Sequence, residues 1–493
     1  MVLFGASRQR FDETVSWLAG PQAGGLSHAD LEQRLQDVGR ELLRQLLQDH
    51  LDLRAARERR VVEVVGDDLV TRQYAEPGHA RGLATVFGKV TVTRIAYRAK
   101  GVANLVPADG VLNLPVGLHS HGLRRLAALE TARGSFEQAT AAIRRASGVG
   151  VGKRQVQALA ETAALDIDNF YAARRPADCP DGDIVVLTCD AKGIVMRPDA
   201  LRAATAKRAA SSSRKLATRL SRGEKLGRKR MAEVVAVYHC TPAPRTPADV
   251  IGAPSAAERR DSRGGPKAAS KWLHASVTTD TAGQITAMFD EATRRDPHGT
   301  HPWVVLVDGN AHQIETIRAH AKARDQPVTI VIDFVHVLEY LWKAAWCFHT
   351  EGDPAIETWV AAQARLILAG RAHRVAGTIQ RKITAAGLDP GRRKGAEACV
   401  TYLLNKARYL RYHETLAAGW PIATGVIEGA CRHLVKDRMD ITGARWGLNG
   451  AAAVLKLRAL ISNGDFNDYW THHLDQEQHR VHASRYANAA IPS

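Results

Sequence analysis

The sequence predicts a multidomain α/β protein that begins with a mostly helical region. Its 493 residues are more than a single core of about 100–200 residues accommodates. From Asp183 onward, short apolar runs alternate with helical stretches, which is typical of an α/β layer. Three of these runs are each followed directly by an aspartate. We therefore expect the chemistry of this protein to lie in the region after Asp183.

The charge of the chain indicates a polyanionic partner. The formal net charge is +17, and Lys and Arg bind phosphates with release of counterions. Residues 201–230 alone contain eleven Lys and Arg but one acid. Because this segment has few large apolar residues, it is predicted to be a mobile arm that contacts DNA; the alternative is a solvated charged face. The predicted DNA-binding residues of this segment are Arg214, Lys215, Arg228, Lys229 and Arg230.

The sequence favours an intracellular protein. It contains no run of about 18 apolar residues, and its first residues lack the apolar stretch of a secretory signal. The six cysteines are scattered without a Cys-x-x-Cys pair, which fits neither a disulfide framework nor a zinc finger. We expect these cysteines to be reduced and structural.

Residues 1–175 form the predicted N-terminal region, with expected roles in DNA binding and dimerisation. An amphipathic helix is predicted from Ser27 to about Arg60, because apolar residues recur there at helical spacing. A β-hairpin is predicted over Leu83–Tyr97, where Val and Thr alternate. The apolar stripe of the helix, a candidate dimer surface, consists of Leu31, Leu35, Val38, Leu42 and Leu46.

A pair of helices is predicted after the hairpin. Ser135 and Gln138 have the spacing of a capping box, and the turn Gly148–Gly152 separates the two helices. As a helix-turn-helix, the pair would present Lys153 and Arg154 to DNA bases. The alternative is a helical hairpin with solvated ends, which we favour because such pairs are common and the glycine-rich turn is loose.

Three apolar runs predict buried strands that bring aspartates to one edge of a sheet, where ligands of open α/β sheets bind. Gly193–Met196 is predicted to be the antiparallel strand that follows the first of them. For any single aspartate, the alternative is a helix N-cap or a turn residue. The runs and their aspartates are Ile184–Cys189 with Asp190, Trp303–Val307 with Asp308, and Val328–Ile332 with Asp333.

A further acid is expected later in the chain. Divalent cations need oxygen ligands that converge from different elements. Residues 337–419 are predicted to be mostly helical. After them, Glu428 lies beside an apolar helical stripe that contains Ile427 and Cys431, so it is the candidate acid.

Two longer motifs accompany these acids. A block beginning at Gly425 reads GVIEGACRHLVKDRMDITGARW, and an Asp-x-x-His motif extends from Asp333 to His336. Together with Asp190 and Asp308, these motifs resemble bacterial insertion-sequence transposases, most closely the ISKra-type group, which is related to Mutator-like enzymes. The resemblance extends over most of the chain.

The resemblance implies an RNase H-like catalytic core that is interrupted by a helical insertion. The first part of the core corresponds to residues 183–336 and the insertion to residues 337–419. The last catalytic helix then lies within residues 420–463. For residues 464–493 we expect a polar C-terminal tail.

The resemblance also implies the chemistry. Asp190, Asp308 and Glu428 match a triad that holds two Mg²⁺ or Mn²⁺ ions for the cleavage and joining of DNA strands. Asp333 and His336 match an accessory motif, so Asp333 is not the second triad acid. Two roles are open for His336. In the functional one it contacts the scissile phosphate or orders Asp333, and in the structural one it caps the next helix. Further predicted DNA contacts are Arg438, Arg445 and Trp446, with core packing as the alternative for Trp446.

The expected partners are double-stranded DNA, at transposon ends and target sites, and further copies of the chain in a homo-oligomer. No membrane partner is expected, and the predicted location is the bacterial cytoplasm, associated with the nucleoid. Two alternative functions stay open. One is a metal-dependent nuclease of the same fold without strand transfer, and the other is a catalytically silent DNA-binding descendant of a transposase.

Overall fold

A computed structural model describes residues 4–211, 224–225, 227–252, 263–441 and 443–492. The chain divides into two compact units. The first consists of Met1–Ala173 together with Gly464–Ser493, and the second of Arg174–Asn463. The C-terminal residues therefore belong to the same unit as the N-terminal region. Within the described ranges, no helix is both long and apolar enough to cross a membrane.

The first unit is helical apart from one β-hairpin, as the sequence predicts. Strand β1 (Tyr74–Thr85) pairs antiparallel with β2 (Gly88–Arg98), and both are longer than predicted. The helices of this unit are α1 (Gly5–Leu18), α2 (Pro21–Gly24), α3 (His28–Arg57), α4 (Pro107–Val111), α5 (His121–Arg133), α6 (Phe136–Ser147), α7 (Lys153–Ala163), α8 (Ile167–Ala173) and α21 (Phe466–Val481).

The predicted helix pair is present as α6 and α7. Ser135 and Gln138 form the predicted capping box, with each side chain bonded to the other residue's backbone N–H. Helix α6 ends at Gly148, whose φ of 72° is the left-handed conformation that glycine adopts without strain. Both helices pack against α5. The pair is thus part of a three-helix cluster.

The prediction of a polar tail after residue 464 is wrong. Helix α21 buries Phe466, Tyr469 and Trp470 along one face. The Tyr469 hydroxyl donates a hydrogen bond to the Ala163 carbonyl over 2.6 Å, and His473 Nδ1 lies 2.7 Å from an Asp166 carboxylate oxygen. His473 and Glu477 are buried on the same helix, and exposed polar residues such as Asn467, Thr471 and Asp475 lie between the buried positions, which is the pattern of an amphipathic helix.

Within its described residues, the second unit contains a five-stranded mixed sheet and the remaining helices. Its strands are β3 (Ile184–Val195), β4 (Lys229–Cys240), β5 (Ala269–Ser276), β6 (Trp303–Val307) and β7 (Val328–Ile332). Its helices are α9 (Ala203–Ala210), α10 (Pro247–Val250), α11 (Thr281–Arg295), α12 (Ala311–Ala323), α13 (Phe334–Ala345), α14 (Ala355–Leu368), α15 (Ala372–Ala386), α16 (Pro390–Lys406), α17 (Tyr412–Ala417), α18 (Gly425–Ala430), α19 (Asp437–Met439) and α20 (Leu448–Ser462).

The strand order in the sheet is β5-β4-β3-β6-β7. Strands β3, β4 and β5 are antiparallel neighbours, whereas β6 and β7 run parallel to β3. Each residue of β6 is buried, as are Ile184–Cys189 of β3, which fits the continuous apolar runs at these positions. Parallel strands need a crossover, and here α12 connects β6 to β7.

The prediction of a separate strand over Gly193–Met196 is wrong. Strand β3 continues without a turn to Val195, and it pairs with β4 from Ile184 opposite Cys240 to Val195 opposite Lys229. Gly193 is not a turn residue here. A Cβ at this position would lie 2.7 Å from the side chain of Lys229, so the glycine lets that side chain cross the strand. Consequently Asp190 lies within β3 and not at its end.

The prediction of a mobile arm over residues 201–230 is wrong at both ends of this segment. Helix α9 begins at Ala203, and β4 begins at Lys229. The guanidinium of Arg230 donates to the Val277 carbonyl over 2.6 Å, and the Arg228 carbonyl accepts from the Met196 N–H. These backbone and side-chain bonds order the flanks of the segment. Arg214 and Lys215 lie outside the described residues.

Candidate active site

Three aspartates share one face of the sheet at the end of its parallel half. In the register, Thr188 of β3 is beside Leu306 of β6, and Leu306 is beside Val331 of β7. Two residues beyond this row, the three strands reach their aspartates. Because side chains alternate between the faces of a strand, residues two apart point to the same face. The aspartates of this row are Asp190, Asp308 and Asp333.

Glu428 is brought to the same region by helix α18, which follows helices α13 to α17 in the chain. Helix α18 contacts β3 and β4, and the chain then continues as a π-helical turn over Cys431–Lys436. Ile427 and Cys431 are buried as the predicted apolar stripe requires, and Asp190 is among the acids that, after burial, raise the pKa of the Cys431 thiol. Glu428 itself is exposed. A buried stripe therefore fixes the helix, while its neighbouring acid is left accessible.

Asp333 connects the end of β7 to the start of this helix. Its side chain is buried, with 4% of the residue exposed. Its carboxylate accepts hydrogen bonds from the Thr424 hydroxyl (2.7 Å), the Thr424 N–H (3.3 Å) and the Val335 N–H (3.0 Å). Asp333 is thus the N-cap of α13 and also holds Thr424, four residues before Glu428. The N-cap alternative is confirmed for this aspartate.

The pKa of the Glu428 carboxyl is affected by the neighbouring acids. Burial raises the pKa of its carboxyl, and the negative charges of Asp333 and Asp190 raise it further, while a hydrogen bond from Thr424 opposes these effects. The Thr424 hydroxyl lies 3.4 Å from Glu428 Oε1. The thiol pKa values of Cys189 and Cys431 are also raised, mainly by burial. Both thiols are therefore neutral neighbours of the acids.

Asp308 lies on a turn that a residue of α16 supports. It is exposed, and its carboxylate accepts the Asn310 N–H over 2.9 Å. The hydroxyl of Tyr402, from α16, donates to the Asp308 carbonyl over 3.0 Å. Gly309 has a φ of 96°, and a Cβ there would lie 2.8 Å from the Tyr402 hydroxyl. The turn thus requires glycine for its backbone and for the close approach of Tyr402.

His336 lies in the first turn of α13, beside aromatic residues. Its Nδ1 is 3.5 Å from a Glu339 carboxylate oxygen. Its ring packs edge-on against Tyr340 and Tyr402, with centroids 5.5 Å and 5.9 Å away. The two tyrosine rings are themselves stacked at 4.0 Å. Asp333, and not His336, is the N-cap of α13, so the capping alternative for His336 is wrong.

The acids fit a divalent cation in donor type and charge. Among the residues that the structure describes, no group of three or more His, Cys, Asp or Glu side chains is positioned to hold a metal ion. The candidates Asp190, Asp308 and Glu428 nevertheless offer only oxygen donors, which Mg²⁺ prefers. The pKa of Glu428 is raised first by burial and then by the negative charges of Asp333 and Asp190, and a cation would neutralise those charges.

The predicted DNA-binding residues differ in their exposure in the structure. Lys153 and Arg154 are exposed at the start of α7, where Lys153 Nζ is 3.0 Å from a Glu137 carboxylate oxygen. Arg445 is also exposed. In contrast, the flank residues Arg228, Lys229 and Arg230 are half-buried, and Arg230 is bonded to protein carbonyls.

Two of the predicted DNA contacts are core residues. Trp446 is 4% exposed, and its indole N–H donates to the Met439 carbonyl over 2.9 Å. Arg438 is 2% exposed, and its guanidinium lies 4.8 Å from the centre of the Trp446 ring. Neither side chain is accessible to a base in this structure. The core-packing alternative for Trp446 is confirmed, and the prediction that Arg438 contacts DNA is wrong.

Sequence reasoning missed the residues that hold the acids in place. Thr424 carries a signal, because it precedes Glu428 by four residues, the spacing of neighbours on a helix. Cys431 was predicted only as part of an apolar stripe. Tyr402 has no local signal, since 94 positions separate it from Asp308.

In comparisons with known proteins, no family model matches the chain, and no curated protein matches it significantly.

Proposed function

We propose that this protein is a DNA transposase that cleaves and joins strands at the ends of an insertion sequence. The observation that carries this proposal is the arrangement of its acids. Asp190 and Asp308 share one face of the sheet, and Asp333 attaches the helix of Glu428 to the same sheet. Asp190, Asp308 and Glu428 are the proposed catalytic residues, and Asp333 is a positioning residue.

We further propose that the mixed sheet is the core of an RNase H-like domain. Support comes from its order, in which the central first strand β3 has β4 and β5, each antiparallel to its neighbour, on one side and the parallel strands β6 and β7 on the other. Five helices between residues 334 and 417 then separate β7 from the helix that carries Glu428. This is the place expected for a helical insertion.

In the proposed mechanism, Asp190, Asp308 and Glu428 would hold two Mg²⁺ or Mn²⁺ ions. When bound, such ions would supply Lewis acidity that activates the attacking hydroxyl and stabilises the leaving oxygen of the phosphodiester. The protein's own contribution is placement. Asp333 and Thr424 fix the helix of Glu428, and Tyr402 fixes the backbone of Asp308. No covalent enzyme intermediate is needed.

Exposed cations surround the proposed site and are suited to the DNA backbone. Lys192 follows Asp190 by two residues in β3, and Arg432 and Lys436 lie on the turn that follows α18. All three are exposed, so they are available to phosphate oxygens. Lys153 and Arg154 remain the proposed contacts of the first unit.

The test is incubation of the purified protein with DNA that carries candidate element ends and Mg²⁺, followed by mapping of cut and joined strands. The proposal expects cleavage at the ends and transfer of a 3′ end into target DNA. Cleavage without joined products would favour the nuclease alternative. Specific binding with neither product, in Mg²⁺ or Mn²⁺, would favour the catalytically silent alternative.

A further inference from the structure

Strand β7 is an edge strand of the five-stranded sheet. The order β5-β4-β3-β6-β7 leaves β7 paired on one side only, with β6. A groove of about 720 Å³ lies along Val328–Val331 of this strand, and its other walls come from α12 and from the chain between Arg408 and Trp420. We call it the edge groove. Its walls do not include any of the proposed catalytic acids.

At the end of β7, an outward backbone group is satisfied by the protein. The Asp333 N–H donates to the Val307 carbonyl of β6 over 2.8 Å, so the odd-numbered residues of β7 are those that bond to β6. The even-numbered residues therefore direct their N–H and C=O groups away from the sheet. Of these groups, the Ile332 carbonyl accepts a hydrogen bond from the Tyr412 hydroxyl over 2.8 Å.

Nearer the start of β7, the outward backbone groups are open. For Val328 and Ile330, the described part of the chain provides no hydrogen-bond partner outside the sheet. Both residues line the edge groove and are only half-buried. Open N–H and C=O groups at a sheet edge pair readily with another extended chain. This edge therefore favours a peptide over DNA, because a DNA backbone has no donors to match the carbonyls.

The wall of the edge groove also contains a buried hydroxyl without a partner. Tyr409 lines the groove and is 9% exposed, and among the described residues its hydroxyl has no hydrogen-bond partner. Buried polar groups in folded proteins are usually paired. Beside it, the half-buried Trp420 adds aromatic surface to the wall. The groove thus offers a polar and an aromatic contact in addition to the strand edge.

Positive charges outnumber negative ones around the edge groove. Arg411 is paired with Glu414. In contrast, Arg318, Lys322 and Arg408 are exposed and have no ion-pair partner in the part of the chain that the structure describes. These cations attract acidic side chains and repel basic ones. Pairing of two β7 edges would bring two such cationic rims together, which disfavours a second copy as the occupant. The charged residues of the walls are Arg318, Lys322, Asp325, Arg408, Arg411 and Glu414.

We infer that the edge groove binds an extended acidic segment of a partner protein, which adds a strand to β7. The open backbone groups of Val328 and Ile330 pair with the backbone of the segment. Its acidic side chains pair with the cations of the rim, and its apolar side chains contact Trp420. In this mode of recognition, backbone pairing provides affinity and side-chain contacts provide specificity. This inference does not depend on the proposed catalytic function.

The probe for the test is a fluorescein-labelled peptide of about eight residues, the length of an ordinary strand, in which Val and Ile alternate with Asp and Glu. Fluorescence anisotropy measures its binding to the full chain. Three comparison ligands are a peptide with Lys in place of the acids, the acidic peptide with N-methylated backbone nitrogens, and oligo-dT of similar length. We expect the acidic peptide to bind at least about 10-fold more tightly than each of them.

Two variants test the charge and the strand edge separately. Arg318→Glu/Lys322→Glu reverses two charges of the groove. Ile330→Pro removes an outward N–H, a change that an edge strand tolerates. Each should weaken binding of the acidic peptide at least about 10-fold. The matched control is Arg371→Glu/Arg374→Glu, which makes the same charge change at two exposed arginines outside the groove and should bind like wild type.

Circular dichroism and thermal unfolding establish that each variant is folded. Absence of binding of the acidic peptide at about 1 mM would overturn the inference, since even a weak specific contact is detectable there. Tighter binding of oligo-dT than of the acidic peptide would assign the groove to nucleic acid instead. Wild-type affinity in folded Ile330→Pro, or an equal loss in the two double variants, would also overturn it.

Discussion

The ends of strands β6 and β7 look alike in sequence but differ in structure. Each is an apolar strand followed by an aspartate, and the two aspartates occupy equivalent positions in the register. Asp308 is exposed, and its carboxylate accepts one hydrogen bond, from the next turn. Asp333 is buried, and its carboxylate accepts three hydrogen bonds that join separate elements.

This difference shows that the position of an acid at a strand end does not by itself define its role. A carboxylate whose oxygens are occupied by backbone and threonine donors is suited to hold structure. A carboxylate that faces solvent on the same sheet face can take a new ligand. We therefore expect substitutions at the two ends to affect different properties of the protein.

The largest expected effect is the loss of cleavage in variants of the proposed triad. Asp190→Asn, Asp308→Asn and Glu428→Gln should each reduce the rate at least about 1000-fold, because each removes a ligand of ions that stabilise the transition state by several kcal/mol. Asp333→Asn should reduce the rate by only about 10–100-fold, as is typical of a residue that supports a ligand indirectly. The measurement is single-turnover cleavage of end DNA in Mg²⁺.

DNA binding provides the control for this prediction. All four variants should bind end DNA with nearly wild-type affinity, since phosphate contacts come from Lys and Arg. If Asp333→Asn abolished cleavage while Asp308→Asn retained it, the assignment of the second catalytic acid would be wrong.

The next effect is on stability and, of the two aspartates, should appear at Asp333 but not at Asp308. Asp333→Asn replaces a carboxylate oxygen by an amide nitrogen, so one of its buried donors loses its acceptor. We expect a loss of about 1–3 kcal/mol in the free energy of unfolding. Asp308→Asn, at an exposed position, should change it by less than about 0.5 kcal/mol. Urea denaturation measures both; equal losses would contradict the distinct roles of the two ends.

The same contrast explains how far sequence reasoning reaches. The strands β3, β6 and β7 were predictable because each contains a continuous apolar run, which in β6 is buried along its whole length. Gly193 was misleading, because a glycine that admits the Lys229 side chain looks like a turn glycine. The partners of the two aspartates were not predictable, since Thr424 and Tyr402 are 91 and 94 positions away along the chain.

A smaller effect is expected at Tyr402, whose hydroxyl supports the turn at the end of β6. Tyr402→Phe keeps the ring stacked on Tyr340 but removes the hydrogen bond to the Asp308 carbonyl. We expect a loss of about 0.5–1.5 kcal/mol in stability and a similar rise in the activation barrier, equivalent to about 2–10-fold in rate. Single-turnover cleavage at saturating DNA measures the rate.

Tyr340→Phe is the matched control for this prediction. It removes a hydroxyl from the other ring of the same stack, but not the bond to Asp308. It should retain the wild-type rate. A rate loss in Tyr340→Phe equal to that in Tyr402→Phe would mean that the stack, and not the hydrogen bond, supports the turn.

The smallest expected effect is a gain of stability in Glu428→Gln. Burial and the charges of Asp333 and Asp190 raise the pKa of Glu428 in the folded protein. An acid whose pKa is raised by folding contributes to the free energy of unfolding below its unfolded-state pKa. This contribution is lost as the pH rises through the folded-state pKa. At neutral pH the charged side chain is therefore slightly destabilising. Because Glu428 is largely solvated, the penalty is screened and we expect the variant to melt only about 1–2 °C higher.

The difference in melting temperature between wild type and Glu428→Gln should vanish as the pH falls toward 4.5, the ordinary pKa of a glutamate. Saturating Mg²⁺ should reverse it, since a bound cation stabilises the wild type more than the variant. Glu315→Gln, at an exposed position in α12, is the control and should show neither dependence. A wild type that melts above Glu428→Gln at pH 7 without Mg²⁺ would contradict the repulsion among the acids.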